Sequence, residues 1–330
     1  MMRPKGRAAR AKPLVLALSA VVFVLGLGVY RALHPKVYRV GVLLCPFTRN
    51  YFDRLKTQLD AAHPGRYQYT VYESMEEDGL RQYARRLLGE KPDLVVTTCF
   101  KSSGAMAEVA KGTQQPMLFL SNVGRDVVAA NLTSPTGNIT GITTAQEDAI
   151  EAGLQALKEW LPSFKRVGVL VNPNSPVMRG EFGDQTAFPR LAKRLGIQID
   201  VLKATDFDEA RRVLARDARH GRYDALFASA PSGPMGQILL EHALREKIPT
   251  FSAEPDLVRA GILIGSRPEA NKKFWAKQVQ MVEQLVQGVR ADRIPVQIPG
   301  RYLLSINKET AKRLGLVIPD SLKSRAENLF

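Results

Sequence analysis

Two stretches decide how this chain folds: Thr97-Thr98-Cys99-Phe100-Lys101-Ser102-Ser103-Gly104 and Val171-Asn172-Pro173-Asn174-Ser175-Pro176. Each follows a short apolar, β-branched run, DLVVTT (93–98) and RVGVLV (166–171), and each precedes a helical pattern. Such a run reads as a parallel strand buried on both faces. The polar residues after it mark the strand-to-helix edge, where open α/β sheets bind ligands. The two stretches predict two sheets whose ligand edges face one another across a cleft.

Working outward, the same rhythm covers most of the chain. Strands are expected at Val37–Leu44, Tyr67–Tyr72, Asp93–Thr98, Pro116–Ser121 and Ile139–Ile142, with helices at Tyr51–Ala62, Glu76–Leu88 and Ser103–Lys111. The pattern then restarts with a helix at Ala149–Trp160 and a strand at Arg166–Val171. It continues through Phe188–Leu195, Ile197–Val201, Phe207–Arg219 (capped by Asp206), Ala225–Ser229, Gly236–Arg245, Pro249–Ser252, Gly261–Gly265 and Lys272–Gln287. The fold class is therefore α/β, with two doubly wound parallel-sheet lobes. A length of 330 residues suits two domains.

Composition removes several classes of function. Hydrophobic content of 45% with 24% charged residues is globular. Two cysteines exclude a disulfide scaffold, and His34, His63, His220 and His242 make no metal-ligand spacing, so no metal or cofactor is expected. The net charge of +15 includes five cations, Arg3, Lys5, Arg7, Arg10 and Lys12, that precede the fold. No helix-turn-helix, zinc finger or aromatic-basic motif accompanies the charge, so a solvated basic surface is expected and nucleic acid is not. The sequence has no Gly-x-Ser-x-Gly elbow, no phosphate-binding loop and no dinucleotide fingerprint after a strand. Ser229 with His220 or His242 is the one catalytic pairing left to consider.

Residues 13–30, PLVLALSAVVFVLGLGVY, form an uncharged apolar run after the basic leader. Eighteen helical residues rise about 27 Å, enough to span hydrocarbon. The run reads as a signal peptide, with Gly26 and Gly28 as the small residues before a cleavage point, or as an uncleaved anchor; its length favours the anchor. Either reading exports everything from about Val37 to the periplasm or cell-envelope exterior, and the anchor tethers it to the inner membrane.

Several motifs carry a family resemblance. Gly137-Asn138-Ile139-Thr140-Gly141 is followed by WLPSFKRVGVLVNP (160–173). The tail holds Ile306-Asn307-Lys308-Glu309-Thr310-Ala311 and Leu314-Gly315-Leu316-Val317-Ile318-Pro319, and ends at Ser324-Arg325-Ala326. Over residues 37–330 the chain resembles the ABC-transporter substrate-binding proteins that include the tryptophan/tyrosine-type binding proteins. The resemblance implies a type I periplasmic-binding-protein fold, its lobes joined by a three-stranded hinge and closing on a small, amino-acid-like ligand. It places lobe one at 37–146 and 267–293, lobe two at 147–266, and the hinge return with the C-terminal segment at 294–330. The hinge crossings are expected near Thr143–Glu147, Phe251–Glu254 and Ile294–Ile298. The implied partner is an ABC permease or, for an anchored form, a membrane sensor; the chain is expected to act as a monomer and not as an enzyme. A sugar-repressor-like regulator shares the fold, but its DNA-binding headpiece is replaced here by the apolar run.

The candidate ligand set sits at the strand ends: Thr48, Tyr51, Thr98, Cys99, Ser102, Ser103, Ser121, Asn122, Asn172, Asn174, Ser175, Ser229, Ser232 and Glu254. Helix N-termini with hydroxyl and amide side chains suit a carboxylate, although capping explains each of these residues equally well taken singly. Phe47, Tyr51, Phe100 and Met235 are candidate apolar contacts or core. Burying an aromatic ligand of about 150–250 Å² would contribute roughly 4–6 kcal/mol. Two departures from the family bear on the ligand. Many members carry an Asp after the strand at Ala225–Ser229, where this chain has Ser229-Ala230-Pro231-Ser232-Gly233; and a usual Tyr-Gly is Ile264-Gly265 here. Glu254 or Asp256 is then the remaining acid for a ligand ammonium. Cys45 and Cys99 end strands one and three, which are neighbours in a 2-1-3-4-5 sheet. A strand spacing of about 4.8 Å permits a disulfide there, and two buried thiols is the competing reading.

Overall fold

Seven residues, Tyr38–Leu44 (YRVGVLL), form β1, and all but Arg39 are buried. A strand buried on both faces needs helices on both sides, and the following segments supply them. The computed structural model describes residues 36–120, 135, 137–143, 146–173, 187–228, 233–253 and 255–330. After a 3₁₀ turn at Pro46–Thr48, α1 (Arg49–Ala62) buries Phe52, Leu55 and Leu59 at helical spacing. β2 (Tyr67–Glu73), α2 (Glu77–Gly89), β3 (Leu94–Thr97), α3 (Phe100–Val109), β4 (Met117–Leu120) and β5 (Ile139–Ile142) follow. α2 inserts Leu80, Ala84 and Leu87, and carries Glu77 and Asp78 in its first turn and Arg86 in its last, matching its dipole. The five strands are all parallel, in the order β2-β1-β3-β4-β5.

The second sheet begins after α4 (Gln146–Trp160). It continues with β6 (Arg166–Val171), α5 (Ala187–Leu195), β7 (Gln198–Lys203), α6 (Phe207–Asp217), β8 (Ala225–Ala228), α7 (Gly233–Arg245), β9 (Thr250–Ser252), α8 (Pro255–Ala260) and β10 (Ile264–Pro268). Asp206 caps α6 as its position predicts, accepting from Glu209 N at 2.7 Å. α9 (Lys272–Val286), a 3₁₀ turn at Ala291–Arg293, β11 (Tyr302–Ile306), α10 (Lys308–Arg313), α11 (Asp320–Arg325) and β12 (Ala326–Leu329) complete the chain. The strand order is β12-β11-β10-β9-β8-β6-β7, parallel except for β10 against β11.

Each sheet carries apolar residues on both faces. α1 and α9 cover one face of the first sheet with Leu55, Leu59, Trp275, Val282 and Leu285, and α2 and α3 cover the other with Leu80, Leu87 and Met106. In the second sheet α4 and α5 lie on one face with Ile150, Leu154, Leu157 and Leu191. α6 and α7 lie on the other with Leu214 and Leu239. α9 thus returns to the first sheet although it follows the second in sequence.

The chain passes between the sheets at three places. The first joins β5 to α4. The second differs from the expected Phe251–Glu254: β9 lies inside the second sheet, and the chain leaves that sheet only between Pro268 and Lys272. The earlier site was implied by the family resemblance; the strand expected at Gly261–Gly265 instead runs Ile264–Pro268 as β10. The third passage is residues 297–302. It begins beside β5, where Thr143 N bonds Gln297 O at 3.0 Å and Gln297 N bonds Gly141 O at 2.9 Å. It ends where Glu269 N bonds Arg301 O at 3.0 Å. The segment from 302 onward joins the second sheet as β11 and β12.

The apolar run at 13–30 lies outside the described residues. Among the described residues no helix is long and apolar enough to cross a membrane.

Candidate functional site

The first wall grows from the ends of β1 and β3, neighbours in the sheet. β1 ends at Cys45, and the turn that follows is closed by Thr48, whose hydroxyl donates to Cys45 O at 2.8 Å. β3 ends at Thr97-Thr98, and Cys99 becomes the N-cap of α3, accepting from Ser102 N at 3.3 Å. A disulfide joins Cys45 to Cys99, with the Cα atoms 6.4 Å apart.

Four more hydroxyl contacts tie this wall together. Thr48 Oγ1 and Thr98 Oγ1 lie 2.6 Å apart, and Thr97 Oγ1 and Ser103 Oγ lie 2.7 Å apart. Ser102 Oγ accepts from Thr98 N and Cys99 N at 3.3 and 3.2 Å. All these residues are buried. Of the expected ligand contacts, Thr48, Thr98, Cys99, Ser102 and Ser103 therefore do come together, but their polar atoms face one another. A buried hydroxyl is stable only with a partner, and here the partners are internal. These residues brace the wall.

What this edge presents outward is different. Phe47 is 51% exposed and Met75 40% exposed. Arg49, at the first position of α1, pairs with Glu73 at 2.5 Å. Lys101 Nζ donates to Met75 O at 3.3 Å. Sequence reading missed Arg49 and Lys101; a cation in the first turn of a helix that follows a strand end was the available signal. Tyr51 leans onto the outer helical layer, its ring 5.7 Å from that of Trp275, over which Arg54 lies at 4.3 Å. Phe100 is half-buried.

The corresponding edge of the second sheet is the end of β6, β7 and β9. Asn172 follows β6 and donates from Nδ2 to Thr205 O at 3.3 Å, linking the β6 and β7 ends. Thr205 donates from its N and Oγ1 to Glu209 Oε2 at 2.7 and 2.6 Å. These bonds hold the Glu209 carboxyl below its usual range. Ser252, at the end of β9, is buried and donates to Ala228 O at 3.2 Å. Met235 packs in the α6/α7 core. Ser121, Asn122, Asn174, Ser175, Ser229, Ser232 and Glu254 lie outside the described residues, as does the side chain of Asp256.

The described histidines are engaged elsewhere: His63 pairs with Glu283. His242 Nε2 donates to Ala218 O at 2.7 Å while Nδ1 accepts from Arg245 at 2.8 Å, which uses both ring nitrogens. His220 Nδ1 lies 2.9 Å from Glu246 O. Among the described residues no group of three His, Cys, Asp or Glu is placed to hold a metal ion.

Comparison with known proteins follows from this geometry. The model of the family "ABC transporter substrate binding protein" matches residues 64–329. No curated protein matches the chain. Among solved structures, an ABC domain from Streptococcus pneumonia in complex with L-Trp is 17% identical, with a TM-score of 0.67 over 89% of this chain and 100% of that one. An open, ligand-free substrate binding protein with adhesive properties from Clostridium difficile is 19% identical, with a TM-score of 0.65 over 88% and 99%. A solute binding protein from Bacillus halodurans with bound myo-inositol is 11% identical, with a TM-score of 0.56 over 85% and 98%. The two parallel sheets are those of type I periplasmic binding proteins. The chain belongs to the ABC transporter substrate binding protein family.

Proposed function

We propose that the protein is an exported receptor that captures a small polar ligand between its two lobes and delivers it to an ABC permease. The observation that carries this reading is the pairing of two strand-to-helix edges, one per parallel sheet, in a chain of this family. The first sheet with α9 acts as one lobe, and the second sheet, which includes β10, β11 and β12, acts as the other. The role is binding without catalysis; His242 and His220 are engaged inside lobe two and His63 pairs with Glu283 in lobe one.

The ligand is bound chiefly by the loops after β4, β6, β8 and β9, through Ser121, Asn122, Asn172, Asn174, Ser175, Ser229, Ser232 and Glu254. The lobe-one wall contributes apolar contact and cations more than hydroxyls, because its hydroxyls are engaged. An amino-acid-like ligand would find its ammonium partner in Glu254. The bound L-Trp and myo-inositol of two structural neighbours set the range to screen.

The apolar run at 13–30 favours a second reading beside the first: an anchored receptor that reports ligand to a membrane partner. Thermal-shift screening of amino acids, purines, polyols and small carboxylates tests ligand capture. A ligand at 100 times its Kd stabilises the folded state by about 2.7 kcal/mol; a flat melt across the panel would sink the proposal. Fractionation with N-terminal sequencing separates anchor from cleaved signal.

A further inference from the structure

α4 turns one face toward the start of β11, with Ala152, Gln155, Ala156 and Glu159 recurring along it at helical spacing. Together with Tyr302 and Leu304 of β11 and Arg325 of α11 they line a cavity of about 350 Å³. The two alanines make the room. The cavity lies on the α4 face of the second sheet and shares no residue with the strand-to-helix edges.

The polar groups around it are unevenly satisfied. Both side-chain oxygens of Glu159 are engaged: Ser321 Oγ donates to one at 2.5 Å and Arg325 Nη2 to the other at 2.6 Å. Among the described residues, Arg325 makes no hydrogen bond from its Nε or Nη1. Ser266 stands opposite Leu304 in the β10–β11 ladder, and such cross-strand partners share a face of the sheet. Ser266 is 2% exposed, and its hydroxyl has no hydrogen-bond partner. A buried hydroxyl in that state is costly and rare in folded proteins.

We infer that this cavity is a second ligand site, separate from the interlobe cleft, which takes a carboxylate carried on a single apolar ring. The charge follows from the donors. The acid in the lining is neutralised by its own partners, and the cation keeps N–H groups to spare. The size follows from the volume, which is near the lower end for small-molecule sites. Ala152, Ala156, Leu304 and the Tyr302 ring supply the apolar contact. The site also stands where the hinge enters the second lobe. Tyr302 closes the passage at 297–302, and its hydroxyl lies 3.5 Å from Asp148, in the first turn of α4 after the first passage. An occupant therefore meets the hinge from outside the cleft. The inference does not rest on what the cleft binds. The competing account is a water-filled packing gap in which Arg325 serves only Glu159; it expects no carboxylate to bind.

The experiment is ligand-observed fluorine NMR on the full chain in amphipol, with 4-fluorophenylacetate as probe and 4-fluorophenylacetamide as its neutral counterpart. The acid should bind, and the amide should bind roughly ten-fold more weakly or worse, because a charge-assisted bond to Arg325 is lost. Arg325→Gln should weaken the acid by a similar factor, and Ala152→Leu, which fills the cavity from a half-buried helical position, should abolish binding. These two substitutions lie on different elements, so a folding defect in one leaves the other as the test. Asn172→Ala, at the ligand edge, should leave probe binding as it is. Absence of binding, equal binding of acid and amide, or binding that neither Arg325→Gln nor Ala152→Leu weakens overturns the site. Binding removed by Asn172→Ala assigns the probe to the cleft and overturns it as well. Failure of the cleft to capture any ligand leaves the probe signal in place, so the two readings fail separately.

Discussion

At the scale of residues, the pair Cys45–Cys99 links the ends of β1 and β3 covalently. The bridge closes a loop with a sequence separation of 54 residues. Loop closure of that length stabilises by about 2–4 kcal/mol. The Cys45→Ser/Cys99→Ser variant should lower the urea midpoint accordingly, and the oxidised protein should show no free thiol by non-reducing mass spectrometry. An unchanged midpoint would mean that the braced hydroxyls hold the wall unaided. Asp200 gives a second test. Burial acts to raise its pKa, and the bonds from Arg166 and Gln198 more than offset it, so the carboxyl sits below its usual range. A depressed carboxyl contributes stability above its unfolded pKa of about 3.9 and loses it as pH falls through the folded value. Asp200→Asn should therefore flatten the acid limb of stability below about pH 4 and cost stability at neutral pH. A titration with the same acid limb as the parent would discard this assignment. The Thr48–Thr98 and Thr97–Ser103 contacts were not legible in the sequence, although the residues were. A hydroxyl at a strand end faces ligand or scaffold according to which partner lies within about 3 Å, and spacing along the chain does not encode that.

Elements were more legible where burial enforces a pattern. The runs VYRVGVLL, DLVVTT and RVGVLV read directly as strands, because a strand covered on both faces has no place for alternating polar residues. β11 and β12 were missed. Each is short and depends on pairing with a distant partner, Ile264–Pro268 in the case of β11, and β12 is also partly exposed. The displaced β10 has the same origin, since Ile262 and Leu263 are buried outside the strand. Helix packing gives a paired prediction. A Cβ on Gly153 in α4 would meet the ring of Phe251 in β9, whereas one on Gly104 in α3 meets nothing within 4 Å. Gly153→Ala should destabilise by about 1–3 kcal/mol. Gly104→Ala should stabilise by roughly 0.5–1 kcal/mol, since alanine is the better helix former. Chemical denaturation of the two variants should move the midpoint in opposite directions.

At the scale of the whole molecule, ligand capture should draw the lobes together about the three passages near 143–146, 268–272 and 297–302. Small-angle scattering with saturating ligand should then show a smaller radius of gyration. Binding without compaction would favour a preformed, static site. The passages also fix an order of events during synthesis. α9 supplies Trp275, Val282 and Leu285 to a face of the first sheet, yet it is made only after nearly all of the second sheet. Until residue 286 has emerged, α1 alone covers that face, and the part that α9 closes lies bare. A nascent lobe of this kind is a target for holding chaperones. The lateness of α9 delays completion of the first lobe until the last crossing has been made.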